Sequence, residues 1–384
     1  MSFTENNHYV PQWYQQRFIP AGNRERKYHY LDLQPETLVS SGRSYQRRAN
    51  WNWGPASCFY EKNLYTLRFG AEITDDLEKR FFGEIDRRGM GAVDFMAGYS
   101  FRKGASEALH AIAAYIDAQK LRTPKGLDWL KLQAGSNSRE RILMLMTKLS
   151  QMHTTIWMEG VWEVLSCDQS ETKFIVSDHP VTTFNRKLFP AAKECQYPGD
   201  APIELLGTHT IFPLGLSRCL VITNLGYVRN PAVSPVKLRE NPRMYGETVF
   251  DLRMIQTGRQ IPEEHVRAIN FIIKKRAKRF IAAGKEEWLY PEEDMKVHMW
   301  DRLGDKLFLM PDPRKVTFTS AIYVSYKDGS GFGQDEYGRR PMDTPQVIAQ
   351  RAAESKSFLK AQADWDSRYG KLPPGYHRDR ELGP

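Results

Sequence analysis

Cysteine is scarce in this chain of 384 residues: there are four, and no two stand as a Cys-x-x-Cys pair. The scatter of Cys58, Cys167, Cys195 and Cys219 argues against a structural zinc site and against a disulfide framework. Reduced thiols in an intracellular protein are the expectation. Long apolar runs are missing too. None approaches the length needed to cross a bilayer, and the N-terminus has polar and charged residues through Asn7 and no apolar segment of a signal peptide. The chain is therefore expected to be soluble and cytoplasmic, with no membrane partner. Familiar catalytic signatures are absent: there is no Walker A loop, no GxSxG elbow, no HExxH, and no GxGxxG before a helix. The GSGFG at 329–333 lacks a following lysine and helix and reads as a turn. No repeat at solenoid period is evident.

What is present is enough apolar material for a packed core, with 41% hydrophobic and 26% charged residues. The length suits one large domain or two ordinary ones. Aromatic residues reach 12%, and the net charge is +9. That balance favours contact with nucleic acid or another polyanion, and a solvated basic surface is the plainer reading of the same number.

The chain opens on an aromatic, amide-rich stretch, NNHYVPQWYQQRF (6–18). Pro11 suits the first position of a helix, and Val10, Tyr14 and Phe18 then share one face. KYHYLDL (27–33) alternates like a strand. WNWGPASCFYEKNLYTLRF (51–69), broken by Gly54 and Pro55, reads as a loop followed by irregular strand. A mostly helical block comes next. Its first helix is capped by Thr74 or Asp75 and carries Leu77, Phe81 and Ile85. The second spans 105–120, with Leu109, Ile112 and Ile116, and stops before Pro124. A shorter third helix follows Pro124. A long fourth begins near Ser138, with Ile142, Leu145, Leu149, Met152 and Ile156 in phase.

The period then changes. Residues 160–181 read as a hairpin, 209–224 as a further strand pair, and 185–204 as a long connection. A helix is expected over 262–283, bounded by Gly284. Beyond about residue 285, 316–326 reads as one strand and 327–341 as turns. A last helix runs from Thr344-Pro345 toward Trp365, and a tail follows. Helical runs and strand pairs occupy separate blocks, so the fold class is α+β: a helical block packed on a small antiparallel or mixed sheet. Residues 1–284 are expected to form a single core domain, and 285–384 a partly irregular C-terminal extension.

Three helices carry a polar residue where the period calls for an apolar one: Glu84, Gln119 and Asn270. A buried polar group is costly unless paired, so each needs partners. A crosslinking hydrogen bond inside the core would satisfy any one of them. Together with His8 and Asp178 they point to a shared polar pocket. Asp178 and His179 leave a strand and meet Pro180, which holds the residue before it extended. Such a rigid strand exit suits a site, and equally an Asx-type turn. Arg122 is the cation expected to pair with Glu84 or Asp178, or to make an ordinary ion pair elsewhere. His153, beside the stripe of the fourth helix, reads as a satisfied core histidine. Lys274, Lys275, Arg276, Lys278 and Arg279 put a basic cluster on the outer face of the last core helix, able to follow a phosphate backbone or simply to face water.

Several of these stretches occur in an order that resembles the bacterial family of unknown function DUF4238. They are HYVPQWYQQRF (8–18), CFYEKNLYTL (58–67), the Glu84 helix, AQKLRTP (118–124), FIVSDHPV (174–181), FPLG (212–215) and AINFIIKKRAKRFIA (268–282). The resemblance implies that His8, Gln12, Arg17, Glu84, Arg122, Asp178 and Asn270 occupy family motif positions, and it supports their convergence. In that family the position after the motif aspartate often carries Asn. Here it is His179, which is given no special role. The resemblance implies no reaction, and residues beyond about 285 lie outside it.

Two functional readings follow. In the first the chain is a hydrolase acting on a phosphoester or nucleic acid. His8 is the general base or a metal ligand, and Asp178 and Glu84 bind a divalent ion or orient His8. Arg122 and Arg17 hold a phosphate, with Gln12, Gln119 and Asn270 as further substrate contacts. A divalent metal is the cofactor this would call for, and a toxin or phage-defence setting would suit it. In the second reading the chain is a non-catalytic module. Its polar cluster is a structural lock joining the N-terminal segment to the helices, while the basic helix and the C-terminal extension contact nucleic acid or a partner protein. Geometry separates the two. His8, Glu84 and Asp178 within about 7 Å around an open cavity favour catalysis; a sealed, mutually hydrogen-bonded cluster favours the lock.

Overall fold

The computed structural model describes residues 6–374 apart from 41–42, 63, 65–66, 70–71, 75–81, 103, 150–152, 240–249, 306, 319–320, 336–337, 339 and 341–343. The fold is α+β. Two four-stranded antiparallel sheets carry it. In spatial order the first consists of Val176–Ser177, Phe280–Ala283, Tyr28–Asp32 and Asn50–Trp53. The second consists of Thr182–Asn185, Thr208–Pro213, Arg218–Asn224 and Gly160–Ser166. Asp178-His179-Pro180 is the short bridge between them, and the extended backbone that Pro180 demands of its predecessor carries the chain from one sheet to the other.

Thr208–Pro213 is buried at every position, as befits a central strand covered on both faces. Tyr14 stacks on its Phe212 (5.2 Å, 9°) and donates its hydroxyl to the Pro213 carbonyl. Val10, Tyr14 and Phe18 are all fully buried, as their spacing predicts. Each contributes about 1.5–3 kcal/mol of apolar burial. Pro11 precedes the helix rather than opening it: the helix is Gln12–Gln15 and tightens into a 3-10 turn over Gln16–Phe18. Gln15, fully buried, donates to the Val10 and Cys58 carbonyls and accepts from the Tyr28 hydroxyl.

The helical block holds Gly83–Ala97, Ala105–Arg122, Pro124–Ala134 and Arg139–Leu149. Thr123 ends the second helix and caps the third, accepting the Gly126 N–H on its hydroxyl. Gly126 is required there, since a Cβ would sit 2.3 Å from the Lys120 carbonyl. The calls at Asp75, Leu77, Phe81 and Met152 lie outside the described residues, and Thr74 ends a short strand, Glu72–Thr74.

Several expectations are corrected. The long fourth helix gives way to two, Arg139–Leu149 and Thr154–Met158. The 160–181 hairpin does not form: Gly160–Ser166 pairs with Arg218–Asn224, while Val176–Ser177 joins Phe280–Ala283 in the other sheet. Alternation specifies a strand's buried face but not its partner. The 262–283 helix ends at Arg276, and Phe280–Ala283 is a strand of the first sheet. A short apolar run is compatible with either state until its neighbours are known. Asn50–Trp53, read as loop, is a regular edge strand. Within the presumed turns, Gly331–Asp335 pairs with Ala321–Ser325.

Past residue 285 the chain continues to pack on the core, which takes in Trp288, Leu289, Trp300, Leu303, Phe308 and Leu309. The last helix, Pro345–Tyr369, seats Phe358 against Val161, Val228 and Val316. Among the described residues no helix is long and apolar enough to cross a membrane.

Candidate functional site

His8 ends the strand Asn6–His8, opposite Tyr60, whose ring lies 5.5 Å away. It is half-buried, and its Nε2 has no hydrogen-bond partner. Burial lowers its pKa, opposed by hydrogen bonds to the backbone of Ala56 and Pro55. The next residue starts a network. The Tyr9 carbonyl accepts from Gln119 Nε2 (2.8 Å), and Gln119 Oε1 accepts from Arg122 Nε (2.7 Å). Arg122, almost fully buried, pairs with Asp86 at 2.9 Å and lies over the rings of Phe82 (5.3 Å) and Tyr115 (5.6 Å).

The carboxylate that Arg122 meets is therefore neither Glu84 nor Asp178. Two residues along a helix turn the side chain by about 200°, so Asp86 faces inward while Glu84 faces out. Glu84 is exposed and pairs with Arg87 at 2.8 Å. Gln12 is exposed as well. Arg17 donates to the Leu214 carbonyl and pairs with Asp94.

Asp178 is buried just past the end of the first sheet's edge strand, Val176–Ser177. Its carboxylate accepts backbone N–H groups from Lys278 (2.8 Å), Arg279 (2.6 Å) and Phe280 (2.8 Å). Burial pushes its pKa up, against these three donors and Lys125. This carboxylate holds the corner where the helix ending at Arg276 becomes a strand. Asn270 plays a similar part: it accepts from Ile175 N–H (3.3 Å) and donates to the Lys173 carbonyl (2.9 Å), tying its helix to the approach to Val176–Ser177.

A dense buried charge cluster centres on Asp200, in the 185–204 connection, a residue to which the sequence assigns no role. Its carboxylate meets Lys125 (2.7 Å), Lys120 (3.2 Å), Arg276 (2.5 Å) and His179 Nε2 (3.1 Å). Against the desolvation that burial imposes, Lys125, Lys120, His179 and Arg276 hold it well below the usual carboxylate range. His179 also bonds the Thr123 hydroxyl through Nδ1 (2.7 Å), and burial pushes its pKa down to about 4. So His179, given no role from the sequence, is a neutral strut between two helices and a loop. The one available signal was a run of Lys and Arg too long for one exposed helix face.

That run does not form the free basic stripe expected of it. Arg276 is on Asp200, Lys274 on Glu292 (2.6 Å), Lys278 on Asp128 (3.2 Å) and Arg279 on Asp32 (2.7 Å). His153 is a satisfied core histidine, 2.8 Å from Asp117.

The stretch that holds Asp178, Asp200, Asn270 and Arg276 is also the stretch with a known likeness. Residues 136–287 match the DUF4238 family. The family is described as a protein of unknown function. No curated protein and no solved structure matches the chain. His8, Gln12, Arg17, Glu84, Gln119 and Arg122 all precede the DUF4238 segment.

One cleft touches both regions. It has a volume of about 180 Å³, and its polar lining is Glu84, Arg88 and His110 with Thr154 of the DUF4238 segment. The Thr154 hydroxyl is buried and has no hydrogen-bond partner. Among the described residues, no three His, Cys, Asp or Glu side chains gather as ligands for a metal ion.

Proposed function

We propose that this protein is a non-catalytic nucleic-acid-binding module whose buried polar residues lock its fold. The observation that carries this reading is that His8, Glu84 and Asp178 are committed to three different sets of neighbours: the Tyr60 ring, Arg87, and the backbone of 278–280. A catalytic group must reach a bound substrate, and Asp178 is sealed beneath donors it already satisfies. The lock is then a set of crosslinks: Gln119 and Arg122 hold the N-terminal segment to the helices, and Asp178, Asn270 and Asp200 hold helix to sheet.

The anionic partner follows from the net charge of +9. Much of the basic charge near the core is taken up by carboxylates, but Arg24, Arg26, Arg43 and Arg48 are exposed and pair with none among the described residues, while Glu25 and Glu36 are taken by Lys27 and Arg47. The test is to incubate the protein with labelled RNA and DNA, single- and double-stranded, with Mg²⁺, Mn²⁺ or EDTA. Salt-sensitive binding without cleavage supports the reading. Cleavage lost in both His8→Ala and Asp178→Ala, each shown to be folded, overturns it.

One observation favours a phosphoester hydrolase instead: Glu84 shares its cleft with Arg88, His110 and the unpartnered Thr154 hydroxyl. There Arg88 would hold a phosphate, and His110 or Glu84 would move a proton. Cleavage abolished by Glu84→Ala and by His110→Ala, but retained in His8→Ala, would establish that version.

A further inference from the structure

The stretch RRANWNW (47–53) places two arginines and two tryptophans at the open edge of the first sheet. Strand alternation puts Trp51 and Trp53 on one face, and the register sets Tyr30 opposite Trp51. The rings continue one another. Trp51 and Trp53 stack at 4.9 Å and 16°, Trp53 and Tyr30 at 5.9 Å and 28°, and Tyr30 and Phe280 at 5.0 Å and 17°. The Arg279 guanidinium closes the row, 5.0 Å above Phe280. Tyr30 is buried, but Trp53 is 39% exposed, and among the described residues no further strand pairs with the edge that carries it.

An arginine stands at each end of the edge strand. Arg48 donates from Nε to the Asn50 carbonyl, at the start of the edge strand. The Arg26 carbonyl lies 3.4 Å from where a Cβ of Gly54 would stand, just past Trp53. Both arginines are exposed, and among the described residues neither pairs with a carboxylate. On the Tyr30 face Asp32 is neutralised by Arg279, which grips both its oxygens, while Glu286 accepts from Asn50 Nδ2 (2.8 Å), whose side chain alternation turns to the other face. The ring face thus offers flat apolar surface with Arg26 and Arg48 at the two ends of its edge strand.

We infer that the Trp51–Trp53 edge is a stacking platform for single-stranded nucleic acid, with Trp53 receiving a base and Arg26 and Arg48 taking the adjoining phosphates. The inference rests on the nucleic-acid-binding reading above and names its surface and its ligand class. Base stacking on exposed aromatics is tolerant of sequence, because every base has a flat face. A duplex keeps its bases stacked inside and offers this edge only its phosphates, so single strands bind more tightly. An acidic peptide would satisfy the arginines but leave the rings uncovered.

The test is fluorescence anisotropy with a short labelled oligonucleotide, as single-stranded RNA, as single-stranded DNA and as duplex, across a salt series. Trp53→Ala is expected to weaken single-strand binding about 5- to 100-fold, while Trp53→Phe retains most of it. Arg26→Glu and Arg48→Glu should each weaken binding and flatten the slope of log K against log salt by roughly 0.7. Trp53 is exposed at a sheet edge, and circular dichroism checks that each variant remains folded. Equal affinity for duplex and single strand, or full single-strand affinity in both Trp53→Ala and Arg48→Glu, overturns the platform but leaves nucleic-acid binding standing. Binding to none of the probes overturns both.

Discussion

Replacing Asp178 separates the lock from the catalyst. Oδ1 accepts the Lys278 N–H, and Oδ2 accepts those of Arg279 and Phe280. In Asp178→Asn one oxygen remains, and the new amide group points its own hydrogens at one or two of these donors. A buried donor left unsatisfied costs about 1–3 kcal/mol, so the substitution should destabilise the protein by about 2–4 kcal/mol. Asp178→Ala orphans all three N–H groups, and a loss of about 3–6 kcal/mol is expected. Equilibrium urea unfolding, followed through the nine tryptophans, measures both. Hydrogen exchange should place the loss at 278–280, where helix gives way to strand. A folded Asp178→Asn protein should bind nucleic acid within about twofold of wild type, since 1.4 kcal/mol is a factor of ten and no ligand contact is removed. A cost below about 1 kcal/mol for both variants would refute the reasoning, because three satisfied buried donors cannot lose their acceptor for so little. Full stability combined with loss of a nucleolytic activity would move Asp178 from the lock to a reaction.

Three further predictions follow from the same interior. Asp200→Ala strands Lys125, Lys120 and Arg276 in a nearly dry cluster and should cost about 3–5 kcal/mol by urea unfolding, with part regained when Lys125→Met is added. Stability should fall on acidification: His179 and His209 have folded pKa values near 4 and 3 through burial, against 6.5 when exposed. Their contribution is complete above about pH 6.5 and is lost as the pH drops through the folded values, by about 3 kcal/mol for His179 alone at 1.36 kcal/mol per unit. A urea midpoint that stays flat between pH 7 and pH 4.5 contradicts that, and His179→Gln should reduce the slope. Finally, all four cysteines are buried, and desolvation pushes Cys58 up to about 12 and Cys167 to about 11. A thiol reagent at mildly alkaline pH should label none of them in the native protein and all four after denaturation.

Local rules carried much of the fold. The helices Ala105–Arg122 and Pro124–Ala134 were legible because the stripe of Leu109, Ile112 and Ile116 marks the first and Pro124 bounds both. The strand Tyr28–Asp32 and the pair over 208–224 were legible from alternation and a turn. Gln119 and Asn270 were correctly marked as needing partners, because burial in an apolar stripe leaves no other option; Glu84, marked on the same ground, lies exposed. The sequence by itself therefore determined which segments fold locally and which polar groups must be satisfied. Tertiary structure alone decided who satisfies them. Asp200 lies 75 residues from Lys125 and 76 from Arg276. Asp178 meets backbone donors 100 to 102 residues away. No periodicity reports such distances. Asp86 rather than Glu84 meets Arg122 because helix phase turns one inward, and the backbone of 278–280, just past the helix that ends at Arg276, is held by the Asp178 carboxylate from the bridge between the two sheets. Pairings between distant groups depend on where the packed core holds each backbone, and that is a property of the whole fold.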